Sequence, residues 1–286
     1  MCCGTVFFST RKNISLTWLN DCDKMSLVMH MLLSEKERQE EIRFYKNEIV
    51  KNCKECNGTG FVDKNGKTYR CSCYLKVYRN VRLLDYGFPR KFLDDVQWNI
   101  ELLQSKAFFP PIEDYINNFD VNYKKGKGIF LTGPYGRGKT TTECVIAKSV
   151  SEKTNPKTHK LYSVAFDLWI NLVRKMWNDD YEIKKQAEQI MQADVLILDN
   201  IGSEIKNNNE VRDSYKERLE TLLRERNNAL MPTILSSNLN IDEIGEIYSQ
   251  NIKDFIQQNA EVIYVSGDNY RQTQNQTELE EFLSWK

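Results

Sequence analysis

The sequence predicts an α/β protein in which a parallel five-stranded sheet, flanked by helices, follows a small helical and cysteine-rich region. Three observations carry this prediction. From about residue 86 onward, short apolar runs alternate with helical segments, which is the pattern of a parallel sheet covered by helices. A glycine-rich loop, GPYGRGKTT, joins the first of these apolar runs to a helical segment. Four of the eight cysteines cluster between residues 53 and 73.

Composition excludes several broad classes of protein. The chain has 286 residues with 40 basic and 40 acidic side chains, so no overall charge attracts nucleic acid or a membrane. No apolar run has the length of a signal-peptide core or of a membrane span, which needs roughly 18 apolar residues. We therefore expect a cytoplasmic protein without a membrane partner. Residues 1–24 are expected to be disordered or to precede the true start of translation, and they are assigned no function.

The N-terminal part is predicted to form a small domain of residues 1–85. Residues 26–50 place apolar side chains every three or four positions between many charges, which predicts an amphipathic helix. Gly87 and Pro89 later interrupt the helical pattern. We therefore place the start of the second domain, residues 86–286, at this break.

Five strands are predicted in the second domain. Each is a short apolar run, and such runs suit strands that are buried on both faces of a parallel sheet. Residues 241–258 are interpreted as a single helical segment before the last strand. The strands begin at Gly128, Leu161, Asp194, Pro232 and Val262.

The loop after the first strand of this domain is predicted to bind the phosphates of ATP. It matches the pattern G-x-x-x-x-G-K-[ST], and it stands between a strand and a helix. Its glycines let backbone N–H groups turn toward the phosphates, and the following helix directs its positive end at them. Lys139 is expected to contact the outer phosphates and Thr140 to bind Mg²⁺ through its hydroxyl. The candidate ATP-binding residues are Gly133, Pro134, Tyr135, Gly136, Arg137, Gly138, Lys139, Thr140 and Thr141.

Two later strands end in polar side chains that are predicted to complete the site. The run VLILDN carries Asp199 at the carboxyl end of its strand, where the ligands of open α/β sheets bind. Asp199 is expected to hold Mg²⁺ together with Thr140. Asn238 follows the run TILSS, and its amide is predicted to orient the attacking water, although a capping asparagine would look the same. Lys139, Asp199 and Asn238 are thus candidate catalytic residues.

The order and spacing of these motifs resemble those of a known family. It comprises the AAA+ ATPases of the DnaC and DnaI type, which are bacterial and phage helicase loaders, and the related IstB-type transposition ATPases. The matching stretches, between Tyr86 and Arg271, are GFPRKF, GPYGRGKT, LILDNIGSE, RERNNALMPTILSSNL and VIYVSGDNYR. The cysteine segment is also similar to the one that precedes the ATPase domain in many phage and Gram-positive loaders.

The resemblance implies more than the motifs alone do. It implies an ATPase domain with strand order 5-1-4-3-2, preceded by a region that binds a replicative DnaB-type helicase. It also implies binding to single-stranded DNA, and self-assembly into a ring or spiral. Arg271 aligns with a family arginine after the last strand, where it would either sense the γ-phosphate or pair with Asp268.

Two positions depart from the family pattern. Family members usually carry a second acidic residue after the Mg²⁺ aspartate, whereas this chain has Asn200. Because an amide cannot accept a proton as a general base, we expect slow hydrolysis with intact ATP binding, and Glu204 is a candidate substitute. The helical segment before the last strand lacks the arginine that would complete a neighbouring subunit's site. Lys253, Arg224 and Arg226 are the remaining candidates for that role.

The clustered cysteines are predicted to bind structural zinc. They form a Cys-x2-Cys pair and a Cys-x-Cys pair on either side of a hairpin, whose turn is KNGK. Four thiolates match the Cys₄ set of structural Zn²⁺ sites, and zinc would hold together a domain too small to build a large core. Two disulfides and an iron–sulfur cluster are the alternatives, and a reducing compartment disfavours the disulfides. The candidate ligands are Cys53, Cys56, Cys71 and Cys73.

Several basic and aromatic positions are candidate contacts for single-stranded DNA. Interleaved side chains of these two kinds neutralise the phosphates while the bases stack. For any one of them, a solvated helix face or a core aromatic residue is the simpler account. The candidates are Lys124, Lys125, Lys127, Arg174, Lys175, Trp177, Lys184 and Lys185.

The sequence therefore favours an ATP-dependent loader of the replicative helicase onto single-stranded DNA, with ATP, Mg²⁺ and Zn²⁺ as cofactors. One alternative is an IstB-type transposition ATPase, which would act on duplex DNA with a transposase. Another is an ATP-binding adaptor with little hydrolysis, which Asn200 and the missing arginine favour.

Overall fold

The fold is seen in a computed structural model that describes residues 35–88, 90, 93, 101–153, 160–175, 181–205 and 211–267. The first nine residues of the helix predicted over 26–50 lie outside this range. From Glu35 onward the helix is present. Within the described residues, no helix is both long enough and apolar enough to cross a membrane.

From residue 35 to residue 88, the structure forms two helices with a hairpin between them. Asn65 and Gly66 form the turn of this hairpin with φ of 53° and 72°, the left-handed conformation that two-residue hairpin turns require. The hairpin predicted from KNGK is thus confirmed. The elements are α1 (Glu35–Tyr45), which continues as a π-helical turn (Lys46–Val50), β1 (Phe61–Lys64), β2 (Lys67–Arg70) and α2 (Ser72–Asp85).

A five-stranded sheet forms the centre of the second part. Every neighbouring pair of its strands is parallel. Its order is β4-β5-β6-β3-β7, which is 2-3-4-1-5 when the five strands are numbered by themselves, so the predicted order 5-1-4-3-2 is confirmed. The last strand begins two residues before Val262, because Ala260 and Glu261 already pair with β3. The strands are β3 (Gly128–Thr132), β4 (Leu161–Ala165), β5 (Val195–Ile201), β6 (Thr233–Ser237) and β7 (Ala260–Tyr264).

Helices connect and cover the strands, and one prediction about them is wrong. Residues 241–258 form two helices, because the Ser249 backbone is extended and its side chain caps the second helix by accepting a hydrogen bond from the Ile252 N–H over 3.2 Å. The helices are α3 (Glu101–Gln104), α4 (Phe109–Asn117), α5 (Phe119–Lys124), α6 (Lys139–Lys153), α7 (Phe166–Lys175), α8 (Tyr181–Met191), α9 (Asp213–Asn228), α10 (Ile241–Ile247) and α11 (Gln250–Asn259).

The core lies on both faces of the sheet. Side chains alternate between the faces along each strand, so Phe130 and Leu198 pack with α7, α8 and α9, while Ile129 and Ile197 pack with α4 and α6. This double burial explains why the strands are continuous apolar runs in the sequence. It also fixes the carboxyl ends of β3, β5 and β6 side by side, where the polar residues of the candidate site follow.

The N-terminal part has a small core of its own and packs against the sheet domain. Tyr45, Val77 and three of the clustered cysteines belong to this separate cluster. After α2, Tyr86 accepts a hydrogen bond from the Ser163 N–H of the edge strand β4 over 2.9 Å. An ion pair also joins Arg79 of α2 to Glu152 of α6. The domain boundary between residues 85 and 86 stays a prediction.

Candidate nucleotide and metal sites

The GPYGRGKTT loop leads from the carboxyl end of β3 into the first residue of α6. Gly133, Gly136 and Gly138 have φ of 143°, 75° and 93°, in the left-handed range that residues with a side chain rarely adopt. Gly133 is also tightly packed, because a Cβ there would come within 2.4 Å of the Val265 carbonyl oxygen. The loop conformation therefore depends on glycine at these positions.

Lys139 occupies the centre of this loop, with only 8% of its surface exposed. Its Nζ donates hydrogen bonds to the carbonyl oxygens of Gly133 and Pro134, over 2.6 and 2.9 Å. It donates a third to Oδ1 of Asn238 over 2.6 Å. An ammonium group has three donors, so its hydrogen-bonding capacity is filled and its position is fixed.

Thr140 and Asp199 face each other at the predicted Mg²⁺ position. The Thr140 hydroxyl lies 3.3 and 3.2 Å from the two Asp199 carboxylate oxygens. Ser236 Oγ donates to Asp199 Oδ1 over 2.8 Å and accepts from the Asn200 N–H over 2.9 Å. Hydroxyl and carboxylate oxygens are ligands that Mg²⁺ prefers, so this set fits the ion. Ser236 orients the carboxylate, and sequence reasoning missed it.

Asn238 connects Lys139 to Asn200. Its Oδ1 accepts from Lys139, and its Nδ2 donates to Asn200 Oδ1 over 3.1 Å. Asn200 has a φ of 66°, a left-handed conformation that asparagine adopts more readily than most residues. The loop lysine and the two asparagines thus form one hydrogen-bonded row, although each comes from a different motif.

Glu204 accepts two hydrogen bonds, one from its own loop and one from the residue that follows α10. One comes from the Gly202 N–H over 3.0 Å and the other from the Tyr248 hydroxyl. Burial raises the pKa of Glu204, while the hydrogen bond from Tyr248 opposes that shift. These bonds favour a structural role for Glu204, and its role as a general base stays a prediction.

Glu143 is a buried carboxyl group beneath the site that sequence reasoning missed. It is 1% exposed, Asp199 and Ser236 are among its polar neighbours, and neither of its oxygens has a hydrogen-bond partner among the described residues. Burial and the neighbouring Asp199 charge raise the pKa of Glu143 well above its usual range. Its spacing of four residues from Lys139 was a usable signal, since residues four apart share one face of a helix.

The remaining predicted loop residues surround this centre. Tyr135 is 62% exposed, with its ring centroid 5.9 Å from Lys139 Nζ. Arg137 donates to the Gly267 carbonyl oxygen just after β7. Pro134 is exposed and Thr141 is half-buried in the first turn of α6. Arg271 lies outside the described residues, so nothing places it.

The three candidates for an arginine finger differ in their surroundings. Arg226 is 2% exposed and donates to the carbonyl oxygens of Ala193 and Pro232 over 2.7 and 2.8 Å. The structure therefore contradicts Arg226 as a finger, because a buried guanidinium cannot reach another subunit. Arg224 is exposed and pairs with Glu220 on the same helix, and Lys253 pairs with Asp242.

The four clustered cysteines converge in space with geometry that suits zinc. Their Sγ atoms all lie within 4.8 Å of one another. The distance is 3.8 Å between the sulfurs of Cys53 and Cys71 and 3.6 Å between those of Cys56 and Cys73. A tetrahedral Zn²⁺ with bonds of about 2.3 Å places its sulfurs about 3.8 Å apart, whereas a disulfide needs about 2.05 Å. The donor set therefore fits zinc and not disulfides.

The backbone around Cys56 supports the same assignment. The Gly60 N–H donates to Cys56 Sγ over 3.2 Å, and Gly58 and Gly60 have φ of 82° and 78°. Although burial opposes it, this N–H and the contact with Cys73 lower the pKa of Cys56 to about 6. Burial raises the pKa of Cys73. A loop that stabilises a thiolate by N–H donation is prepared for a metal, since the thiolate is the metal ligand.

The predicted DNA contacts fall in two separate places. Lys124, Lys125 and Lys127 are exposed and precede β3, so they lie at the opposite end of the sheet from the phosphate loop. Trp177 lies outside the described residues. A second group is on α7 and α8, where Lys185 Nζ stands 6.0 Å from the ring of the exposed Tyr181. This group also contains Arg174, Lys175 and Lys184.

The arrangement at the carboxyl end of the sheet can bind a nucleoside triphosphate with Mg²⁺. It offers a glycine loop, an ammonium group, a hydroxyl–carboxylate pair and an amide within one hydrogen-bonded network. Asn200 gives this network no proton acceptor at the position after Asp199. The geometry thus provides for nucleotide binding more fully than for hydrolysis.

Comparison with known proteins places the chain in a family of ATP-binding proteins. A family model described as "IstB-like ATP binding protein" matches residues 120–278, more than half of the 286 residues. The chain is also 32% identical over 148 residues to the replicative helicase loader DnaI of Bacillus subtilis (strain 168). That match covers 50% of this chain and 44% of the relative, so it spans less than half of the relative's length.

Solved structures share the fold of the sheet domain. A crystal structure of the DnaC helicase loader superposes with a TM-score of 0.52 at 20% identity, over 62% of this chain and 100% of that one. A crystal structure of DnaI gives a TM-score of 0.48 at 21% identity, over 64% of this chain and 94% of that one. Together with the strand order, the DnaC match confirms the predicted fold, a parallel five-stranded sheet flanked by helices.

Proposed function

The chain belongs to the IstB-like ATP-binding protein family, and from this premise we propose that it is an ATP-dependent loader of a replicative DNA helicase onto single-stranded DNA. The observation that carries the proposal is the joint presence of a phosphate site and a four-thiol module in one chain. The relative at 32% identity is itself named a replicative helicase loader, which supports the same role.

Nucleotide binding would use the residues that the network already brings together. The glycine loop and Lys139 would hold the phosphates of ATP, and Thr140 and Asp199 would hold Mg²⁺. Bound Mg²⁺ neutralises charge on the β- and γ-phosphates. Asn238 lies against Lys139, so its amide would face the γ-phosphate and orient a water molecule.

Hydrolysis would be slow, and nucleotide state would act mainly as a switch. Asn200 offers an amide where a carboxylate would accept a proton, and Glu204 is held by Tyr248 and by its own loop. Bound ATP would favour one assembly state, and hydrolysis or DNA would favour release. The amide of Asn200 in place of a carboxylate also supports a second candidate function, an ATP-binding adaptor with little turnover.

The N-terminal part would bind the helicase. It has its own small core around the cysteines, and zinc would stabilise that core. The ion pair between Arg79 and Glu152 connects this part to α6, the helix that begins at Lys139. Binding or loss of the γ-phosphate at Lys139 would therefore reach the helicase-binding part through a single helix, α6.

Co-purification with the replicative helicase of the same genome tests the proposal. The full-length protein is mixed with tagged helicase in ATP, in ADP and without nucleotide, and Lys139→Ala and Cys73→Ser are compared with wild type. A helicase complex that depends on ATP and on both residues supports the loader. A chain that binds a transposase and duplex DNA but no helicase belongs with the transposition ATPases. Helicase binding without DNA-stimulated ATP turnover indicates the adaptor.

A further inference from the structure

The N-terminal part carries a row of aromatic side chains on its surface. Phe61 lies in β1, while Tyr74 and Tyr78 lie one turn apart in α2. The ring centroids of Phe61 and Tyr74 are 6.2 Å apart, and those of Tyr74 and Tyr78 are 5.0 Å apart. Phe61 and Tyr78, at the two ends of the row, are 48% and 41% exposed. Contiguous exposed aromatic residues of this kind mark an interaction surface.

Two cations flank the middle ring of this row. The Arg70 guanidinium lies 4.8 Å from the Tyr74 ring centroid, and Lys46 Nζ lies 5.5 Å from it. Neither cation forms an ion pair with a residue that the structure describes. Their charge is therefore available to an anion. Together with Phe61, Tyr74 and Tyr78 they make up the aromatic–basic face.

We propose that the aromatic–basic face is a binding site for single-stranded DNA. Exposed rings accept bases by stacking, and adjacent cations neutralise the backbone phosphates, which is the chemistry of a single-strand groove. Every base has a ring face, so binding here is independent of sequence. The choice of DNA as the polymer rests on the proposed loader function.

The charges of the face favour a nucleic acid over an apolar protein surface as its occupant. A duplex hides its bases, so the exposed rings select an unpaired strand. An apolar protein surface would cover the rings but leave Lys46 and Arg70 desolvated without partners, which is costly. A strand that presents a phosphate with each base satisfies both the rings and the cations.

The hairpin offers matched controls on its other face. Phe61 pairs with Arg70, and Val62 pairs with Tyr69, in the antiparallel register. Because side chains alternate along a strand, Tyr69 and Lys67 point away from the aromatic–basic face. Tyr69 is 50% exposed, and the Lys67 side chain is exposed as well. They match the aromatic and cationic residues of the face in type and in accessibility.

Fluorescence anisotropy of labelled oligothymidylate with the full-length, zinc-loaded protein tests the proposal. Tyr78→Ala is expected to weaken binding about tenfold, since it removes a stacking ring. Arg70→Gln is expected to make the negative slope of log affinity against log salt shallower by about 0.7, the value for one lost phosphate contact on a single strand. Tyr69→Ala and Lys67→Gln are expected to bind as wild type. Zinc content and melting temperature of each variant show that the module is folded.

Two results would overturn the proposal while leaving the loader function intact. In the first, wild type binds the oligonucleotide and Tyr78→Ala and Arg70→Gln bind equally well, so the strand contacts another surface. In the second, these variants bind the oligonucleotide as wild type does but no longer co-purify with the helicase, which would show that the face binds the helicase. Wild type that binds no oligonucleotide also overturns it. Helicase co-purification then decides separately whether the loader function survives.

Discussion

Lys139 Nζ lies 2.6 Å from Asn238 Oδ1, although the two residues are 99 positions apart in the chain. Strands β3 and β6 are neighbours in the sheet. The loop after β3 leads to Lys139 at the start of α6, and Asn238 directly follows β6, so the two side chains meet at the same edge of the sheet. The lysine proposed to bind phosphate and the amide proposed to orient water are therefore held together by a direct hydrogen bond.

Asn238→Ala is predicted to lower ATP hydrolysis much more than ATP affinity. The amide would orient water and contact charge that develops during hydrolysis, so we expect a loss in kcat of roughly a hundredfold. Single-turnover hydrolysis and equilibrium binding of ATP measure the two effects. Asn240→Ala is the control, because Asn240 caps α10 and its loss should cost about 1 kcal/mol of stability without changing kcat. Equal losses in both variants would count against the assignment.

Asn200→Asp is predicted to raise the rate of ATP hydrolysis. Aspartate restores a proton acceptor beside Asp199, and it tolerates the left-handed backbone with φ of 66° almost as well as asparagine does. Steady-state phosphate release with and without single-stranded DNA is the measurement. Fast turnover by wild type, together with no increase in the variant, would contradict slow hydrolysis as the native property.

Cys73→Ser is predicted to release zinc and to unfold the N-terminal core. Zinc binding in small domains contributes directly to folding, and Cys73 is both a sulfur of the cluster and a member of that core. Zinc content by mass spectrometry and proteolysis of the N-terminal part report the loss. Cys144→Ser is the matched control, since Cys144 is equally buried but lies in α6 away from the cluster. A variant that keeps stoichiometric zinc would exclude the site.

Glu143→Gln is predicted to flatten the pH dependence of stability. Burial and Asp199 raise the pKa of Glu143 well above its usual 4.5, so the folded chain keeps a proton that the unfolded chain releases. The stability from this group is complete below the unfolded pKa and falls as pH rises toward the folded pKa, by up to about 1.4 kcal/mol per pH unit. Urea unfolding without nucleotide between about pH 5 and about pH 8 measures the slope.

The exposed Glu217 on α9 provides the control for this experiment. Glu217→Gln should keep the wild-type slope, and Glu143→Gln should be more stable than wild type at the alkaline end. Identical slopes in wild type and Glu143→Gln would show that Glu143 is ionised in the folded chain.

Arg226→Ala is predicted to destabilise the fold by about 3 kcal/mol or more, because it leaves several buried carbonyl oxygens without a donor. Arg226 donates to the carbonyl oxygens of Met191, Ala193 and Pro232. Arg224→Ala, two residues earlier, removes an exposed side chain and should change stability little. Thermal unfolding of both variants checks the difference. Similar melting temperatures would show that the buried hydrogen bonds of Arg226 do not stabilise the fold, and Arg226 would again be a candidate for the arginine finger.

The elements with strong local signals could be predicted from the sequence. The phosphate loop could be predicted because its glycines adopt positive φ angles that other residues rarely adopt. The strands could be predicted because burial on both faces of the sheet makes each of them a continuous apolar run. The convergence of the four thiols also followed from their spacing around a hairpin turn. In each case a local pattern determines the local structure.

Features that depend on tertiary packing could not be predicted in this way. The helix break at Ser249 arises where Tyr248 turns inward to bond Glu204, which no periodicity reveals. Ser236 and Glu143 reach Asp199 only because β6 and α6 pack beside β5. From the sequence Arg226 was a candidate for the arginine finger, yet its guanidinium donates hydrogen bonds to the carbonyl oxygens of Ala193 and Pro232, which precede β5 and β6.

Helicase loading on a closed single-stranded DNA circle with an annealed oligonucleotide tests the central claim most directly. Replicative helicase is added with wild-type protein and ATP, and release of the oligonucleotide is followed over time. We predict that wild type accelerates release, and that Lys139→Ala and Cys73→Ser do not. Release at the rate of helicase alone, with wild-type protein that binds ATP and carries zinc, would contradict the loader function.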